Sequence, residues 1–201
     1  EEKLIDTVLA ADIERAKLLT ASEIETDPNK IADIHIRLAD IDAYSAEARA
    51  SSILSGLGFS QTDQHSPCSS FSGGWRMRVA LASVLFSNPD LLLLDEPTNY
   101  LDFEGTAWLE NYLQKFKNTV LVISHDRNLL NKSVSGILHL SSKKIQFYTG
   151  NYDTFDNERR SQLEQKISQK NKQDVQRAHI QSFVDRFKAK ASKARQAQSR
   201  I

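Results

Sequence analysis

The sequence predicts an α/β protein in which a helical region leads into a parallel sheet and a long basic helix follows. Three observations carry this. Residues 71–102 place Ser72-Gly73-Gly74 before an apolar helix and then four leucines that end in Asp95-Glu96. Strand-like and helix-like segments then alternate to residue 140, the pattern of a parallel sheet with covered faces. From Thr154 onward the chain has no glycine or proline.

Residues 3–20 are expected to form one amphipathic helix, with Leu4, Ile5, Val8, Leu9, Ile13, Ala16 and Leu19 near a 3.6-residue period. Asp27-Pro28 is a helix-start signal, with Asp as N-cap and Pro in the first turn. Ile31, Ile34, Leu38 and Ile41 form the stripe of that second helix. A third is expected over 45–55, stopped by Gly56 and Gly58. Residues 60–70 read as a polar loop, and a helix from about Trp75 to Phe86 ends at Asn88-Pro89. The continuous apolar run to Asp95 reads as a buried strand, as does Thr119–Ile123, which leads into Ser124-His125-Asp126. Between them, 104–117 is helical, with Trp108, Leu109, Tyr112, Leu113 and Phe116 on one side. A helix over 127–133 and a strand over 136–140 complete the alternation. Residues 144–148 add an edge strand, closed by Gly150-Asn151. In the tail, Leu163, Ile167, Val175, Phe183, Val184, Phe187 and Ala191 recur near helical spacing amid Lys, Arg and Gln, the pattern of a long, mostly solvated helix.

Composition narrows the class. Apolar residues make up 40% of the chain, enough for a packed core, yet no apolar run has the length of a bilayer span. No signal-peptide pattern opens the sequence. Cys68 is the lone cysteine, so no internal disulfide forms, which fits a reducing compartment. The net charge of zero hides a split. Residues 157–201 hold 12 basic and 4 acidic residues, against 14 and 22 in 1–156. An acidic globular part thus precedes a basic arm suited to a polyanion.

Ligands of open parallel sheets gather at the carboxyl ends of strands. Asp95, Glu96 and His125 all lie at or just beyond such ends. An Asp closing an apolar strand suits Mg²⁺ held through water. A second carboxylate can orient a water for attack on a phosphoryl group, and His125 is placed to donate to phosphate oxygens. The N–H groups of a helix start, here near Ser72, Gly73 and Gly74, bind phosphate, and glycine lets the backbone come close. Each feature alone has a plainer explanation: a strand ending in solvated acids, a capped loop, an exposed histidine. Their conjunction in this order points to phosphate chemistry.

At these residues the sequence resembles the ATP-binding cassette (ABC) ATPases. Phe71-Ser72-Gly73-Gly74-Trp75 resembles their signature motif, LLLLDEP their Walker B strand with its following glutamate, NYLD the D-loop, and Ser124-His125-Asp126 the switch histidine. Trp75, the DEPTN run and SHDR together resemble the ABC-F class, as do YTGNYDTF and the basic helix. That class carries two cassettes on one chain without a membrane domain, and its members mostly act on the ribosome near the tRNA exit site. Their inter-cassette linker is a helical hairpin that reaches toward tRNA.

The resemblance implies a fold and a set of roles. The fold is a partial P-loop NTPase cassette of ABC type with a helical subdomain, followed by a long basic helical linker. Residues 1–88 would be the helical subdomain with the signature, 89–153 the RecA-like α/β core, and 154–201 the linker. Ser72, Gly73 and Gly74 would touch the γ-phosphate of ATP held by the opposing cassette. Asp95 would help hold Mg²⁺, Glu96 would position the hydrolytic water, and His125 would contact the γ-phosphate. Asp102 would couple the two sites. Lys188, Lys190, Lys193 and Arg195 would meet RNA phosphates, a use that their one-sided charge favours. The implied partners are a ribosome, tRNA and a second cassette of the same chain, with no membrane and a cytoplasmic location.

Two departures qualify the match. No G-x-x-x-x-G-K-[ST] run occurs among the seven glycines, so the Walker A loop and its strand would precede residue 1. Tyr100 stands where the D-loop of this class more often has His. The chain is therefore expected to be the rear part of a first cassette plus part of the linker. Alone it is expected to lack ATPase activity and, with a bare apolar strand edge, to be marginally stable or to pair with another copy or with the missing segment. A transporter-type ATPase subunit is the alternative within ATPases. A non-catalytic RNA-binding or adaptor fragment is the alternative outside them.

Overall fold

A computed structural model of the protein describes the backbone of residues 2–198 and the side chains as far as Lys188, apart from Phe183 and Phe187. It divides into two units, Glu1–Ser135 and Gly136–Ile201.

In the first unit, helices α1 (Leu4–Leu9) and α2 (Ile13–Ile24) replace the single helix expected over 3–20. The break falls at Asp12, whose carboxylate accepts from the Arg15 N–H at 2.9 Å and caps α2. Only α1 goes into the core, burying Leu4, Ile5 and Val8, whereas α2 buries nothing fully. Helix α3 (Pro28–Asp40) starts where Asp27-Pro28 signals it, and the Asp27 carboxylate accepts from the Asn29 N–H at 2.9 Å. Helix α4 (Ala46–Gly56) is followed by Gly58 at φ +96°, a conformation that favours glycine.

The polar loop expected over 60–70 contains a turn of helix, α5 (Gln61–Gln64), held by a reciprocal Ser60–Asp63 capping box. Its last residue, Gln64, is fully buried, and its amide nitrogen lies 3.0 Å from the Ser55 hydroxyl oxygen. The elements that follow match their expected types: α6 (Gly73–Phe86), β1 (Leu91–Asp95), α7 (Phe103–Lys115), β2 (Thr119–Ile123) and α8 (Arg127–Ser133). Strands β1 and β2 are parallel and in register from Leu91↔Thr119 to Asp95↔Ile123. One core gathers α1, α4, α6, β1, α7 and α8 through Leu4, Val8, Leu54, Leu85, Leu92, Leu109 and Leu129, all 0% exposed.

The second unit corrects the expected parallel alternation. Strand β3 (Gly136–Ser141) pairs antiparallel with β4 (Lys144–Thr149), as a hairpin, and among the described residues with no other strand. Its two-residue turn, Ser142-Lys143, has both φ values positive, the backbone of a tight hairpin turn. That turn lacks the Asn-Gly or Asp-Gly pair that would have announced it. Helix α9 (Tyr152–Gln198) then runs unbroken. Its start is tied to the hairpin: Asn151 Oδ1 accepts from the Thr154 N–H at 3.1 Å, and Phe155 stacks edge-on against Tyr148 at 4.9 Å between centroids.

A further correction concerns strand burial. A continuous apolar run signals a strand covered on both faces, yet β1 and β2 are covered on one. Leu92 and Leu94 are buried, whereas Leu91, Leu93, Leu121 and Ile123 are exposed. The helices of this unit that join the core all lie against the Leu92–Leu94 side. No helix among the described residues is long and apolar enough to cross a membrane.

Candidate functional site

Strand β1 delivers Asp95 as its last residue, exposed, and Glu96 as the first residue beyond. Glu96 adopts φ +46°, rare for a residue with a Cβ. Strain of this kind persists where the surroundings impose it and clusters at functional positions. Here its N–H still donates to Ile123 O at 2.8 Å, so the backbone bends while anchored to the end of β2. The carboxylate then faces His125. Oε1 lies 3.3 Å from His125 Nε2, and Oε2 accepts from the His125 N–H at 3.3 Å. The imidazole is 97% exposed and the carboxylate only 21%, so the acid is fixed and the ring is presented outward.

The loop after Glu96 is a chain of turns. Asn99 N–H donates to Glu96 O at 3.2 Å and Leu101 N–H to Thr98 O at 3.0 Å. It ends at Asp102, the N-cap of α7, whose Oδ1 accepts from the Gly105 N–H at 2.8 Å. That hydrogen bond, and then the Arg78 guanidinium, hold the Asp102 carboxyl below the usual carboxylate range.

Ser72 is the N-cap residue of α6 by position, yet its hydroxyl makes no capping hydrogen bond. The first turn of a helix has N–H groups without intrahelical partners. A Cβ added at Gly73 would meet nothing within 4 Å, and one at Gly74 would reach only ordinary contact with Tyr100, at 3.7 Å. Packing within this chain therefore does not require glycine at either position.

The structure thus groups the expected residues in two sets. Glu96 and His125 meet at the ends of β1 and β2, with Asp95 the last residue of β1 beside Glu96 in the chain. Gly74, next to Ser72 and Gly73 at the start of α6, lies beside Tyr100, and Arg78 of the same helix holds Asp102. Among the described residues no cluster of three or more His, Cys, Asp or Glu side chains is poised for a metal. Asp95, an exposed carboxylate at the strand end, is the residue here that could hold Mg²⁺, an ion that needs only one or two protein carboxylates when phosphates and waters complete its shell. Lys188 is exposed on α9. The backbone is helical through Gln198, but the side chains of Lys190, Lys193 and Arg195 lie outside the described residues. Sequence reasoning missed Arg78, which with Arg76 is one of two basic residues just before the apolar stretch Val79–Phe86.

A family model described as "ABC transporter" matches residues 7–99, and a second with the same description matches 138–201. "Probable ATP-binding protein YheS" of Haemophilus influenzae is 46% identical over 200 residues, covering 98% of this chain and 31% of that protein. The human "ATP-binding cassette sub-family F member 3" is 49% identical over 172 residues, covering 86% of this chain and 24% of that protein. The chain belongs to the ABC-F family of ATP-binding cassette proteins. It spans less than a third of the length of these ABC-F relatives. A solved "ATP binding subunit of ABC transporter" aligns with a TM-score of 0.53 at 16% identity, over 79% of this chain and 56% of that one, which shows the shared cassette fold. The ABC-type cassette fold expected for this chain is thus shown, over part of a cassette.

Proposed function

We propose that this chain is the rear part of a first ABC-F cassette with the start of its linker, and that the whole protein couples ATP hydrolysis to ribosome and tRNA contacts. The observation that carries the reading is Glu96, bent out of β1 at φ +46° with its carboxylate held against His125. A buried-side carboxylate beside an outward imidazole suits a water to be oriented and a γ-phosphate to be contacted. Bound MgATP would supply the electrophilic phosphorus and a charge-neutralising cation. Asp95 holds the cation side, Glu96 the water, and His125 the outer phosphate oxygens. Ser72, Gly73 and Gly74 offer N–H groups and a free hydroxyl to nucleotide on an opposing cassette, and Asp102 links the two sites.

The bare face of Leu91, Leu93, Leu121 and Ile123 supports the view that a further segment, carrying a Walker A loop, packs there in the whole protein. On α9, Leu163, Ile167 and Val175 are exposed, apolar positions that suit contact with the second helix of a linker hairpin. The basic end of α9 suits RNA phosphates. The transporter-type reading gains no support from this basic helix.

The test uses the full-length protein. Glu96→Gln keeps the size and shape of the side chain but removes its charge and one of its two acceptors. ATP turnover is expected to fall about a hundredfold or more, with ATP binding retained and ribosome association made persistent. Turnover within a few-fold of wild type overturns the assignment of Glu96. ATP-independent ribosome binding overturns the coupling. The 201-residue chain alone is expected to show no turnover.

A further inference from the structure

Arg78 on α6 binds three separate pieces of the first unit. Its Nε donates to Tyr100 O at 2.6 Å, and its Nη1 donates to Leu57 O and to Asp102 Oδ2, both at 3.0 Å. The guanidinium carbon lies 4.4 Å from the Trp75 ring centroid, and the side chain is 11% exposed. An arginine near the start of a helix ordinarily extends into water. This one is folded against the end of α4 and the loop before α7.

The surrounding residues are shaped to admit it. Gly58 sits at φ +96°, and a Cβ there would stand 2.9 Å from the Arg78 guanidinium. Trp75 provides a face on which the planar cation stacks. Asp102 divides its carboxylate, with Oδ1 capping α7 and Oδ2 on Arg78, so its direction is set from both sides. The same helix starts at Ser72-Gly73-Gly74, less than two turns before Arg78. One side chain therefore joins the helix bearing the glycine tip to the loop bearing Asp102.

We propose that Arg78 is a positioning residue that locks Ser72–Gly74 and Asp102 into one rigid unit, so that both present to an opposing cassette in fixed register. This rests on the functional reading above, in which both motifs face that cassette. A lysine cannot substitute. Its single ammonium lacks the fork that reaches Tyr100 O on one side and Leu57 O and Asp102 on the other.

The experiment compares wild type, Arg78→Lys and Arg78→Ala in the full-length protein. It reads hydrogen exchange over residues 97–105 without nucleotide, together with kcat and KM for ATP. For Arg78→Lys, exchange in 97–105 is expected to rise while protection in α1, β1 and β2 holds. The kcat is expected to fall about tenfold to a hundredfold, the scale of a small misplacement of reacting groups, with KM changed less than about twofold. Arg78→Ala should show the same pattern more strongly. Unchanged exchange in 97–105, or wild-type kcat in Arg78→Lys, overturns the proposal. Exchange that rises equally throughout the first unit in Arg78→Lys also overturns it, since the role is then general stability. The exchange result stands even if Glu96→Gln retains turnover, so failure of the hydrolysis reading is separable from failure of this one.

Discussion

The two faces of the β1–β2 pair are made from the same kinds of residue and meet opposite fates. On one face Leu92 and Leu94 join the core and Val120 and Val122 pack against it. On the other, Leu91 is 54% exposed and Leu93 61%, with Leu121 and Ile123 beside them. The β3–β4 hairpin repeats the pattern. Tyr148 is buried with Phe155 behind it, while Leu138, Leu140, Ile145 and Phe147 are bare. A strand points alternate side chains to opposite faces, so a one-sided strand needs apolar residues at every second position only. Strands β1 and β2 carry them at nearly every position. Their composition belongs to a sheet covered twice, and this chain covers it once.

The sharpest way to break this contrast is to truncate neighbours on β1. In the isolated chain, Leu92→Ala is expected to cost about 2–5 kcal/mol, because it empties a fully packed site. Leu93→Ala should change stability by less than about 0.5 kcal/mol there, as exposed substitutions do. In the full-length protein the Leu93 variant should become costly too, if a second layer covers that face. Denaturant unfolding of both variants in both contexts checks this. A Leu93→Ala cost that stays negligible in the full-length protein sinks the idea of a second layer.

A weaker effect follows from the same exposure. An apolar face beside an unpaired strand edge invites association. Sedimentation of the isolated chain is expected to show self-association that Leu93→Lys with Leu121→Lys reduces, without loss of helical signal. A wild-type chain that remains monomeric at high concentration counts against it.

What was legible in the sequence depended on whether the signal was local. The α3 start at Asp27-Pro28 and the β1 run Leu91–Leu94 were readable because a few adjacent residues set each of them. The break between α1 and α2 was not, because the apolar period of 3–20 runs straight through Asp12, which acts as a cap and not as a mid-helix residue. The β3–β4 hairpin hid behind a Ser-Lys turn that adopts positive φ without glycine or asparagine. At the candidate site, the positions of Asp95 and Glu96 were legible from the strand that ends there. The φ +46° bend of Glu96 and its grip on His125 were not, since they depend on β2 lying alongside. Arg78 escaped for a similar reason: its partners Leu57, Tyr100 and Asp102 are more than twenty residues away in sequence.

The smallest predicted effect lies where the chain satisfies itself. Both carboxylate oxygens of Asp102 are engaged inside the first unit, so this contact should survive in isolation while the bare leucines await a cover. The folded-state pKa of Asp102 is lowered, first by the Gly105 N–H and then by Arg78. A lowered acid contributes stability that is complete above its unfolded value, about 3.9, and is lost as pH falls through the folded value below that. Asparagine keeps the helix cap but not the charge. The stability gap between wild type and Asp102→Asn should therefore be present at neutral pH and close as pH drops below about 4. Because the Asp102 side chain is 56% exposed, solvent screening keeps that gap under about 1 kcal/mol. Paired unfolding curves from pH 7 to pH 3 measure it. A gap that widens on acidification has the wrong sign for a carboxylate held by N–H donors and a guanidinium, and would place the capping interaction elsewhere.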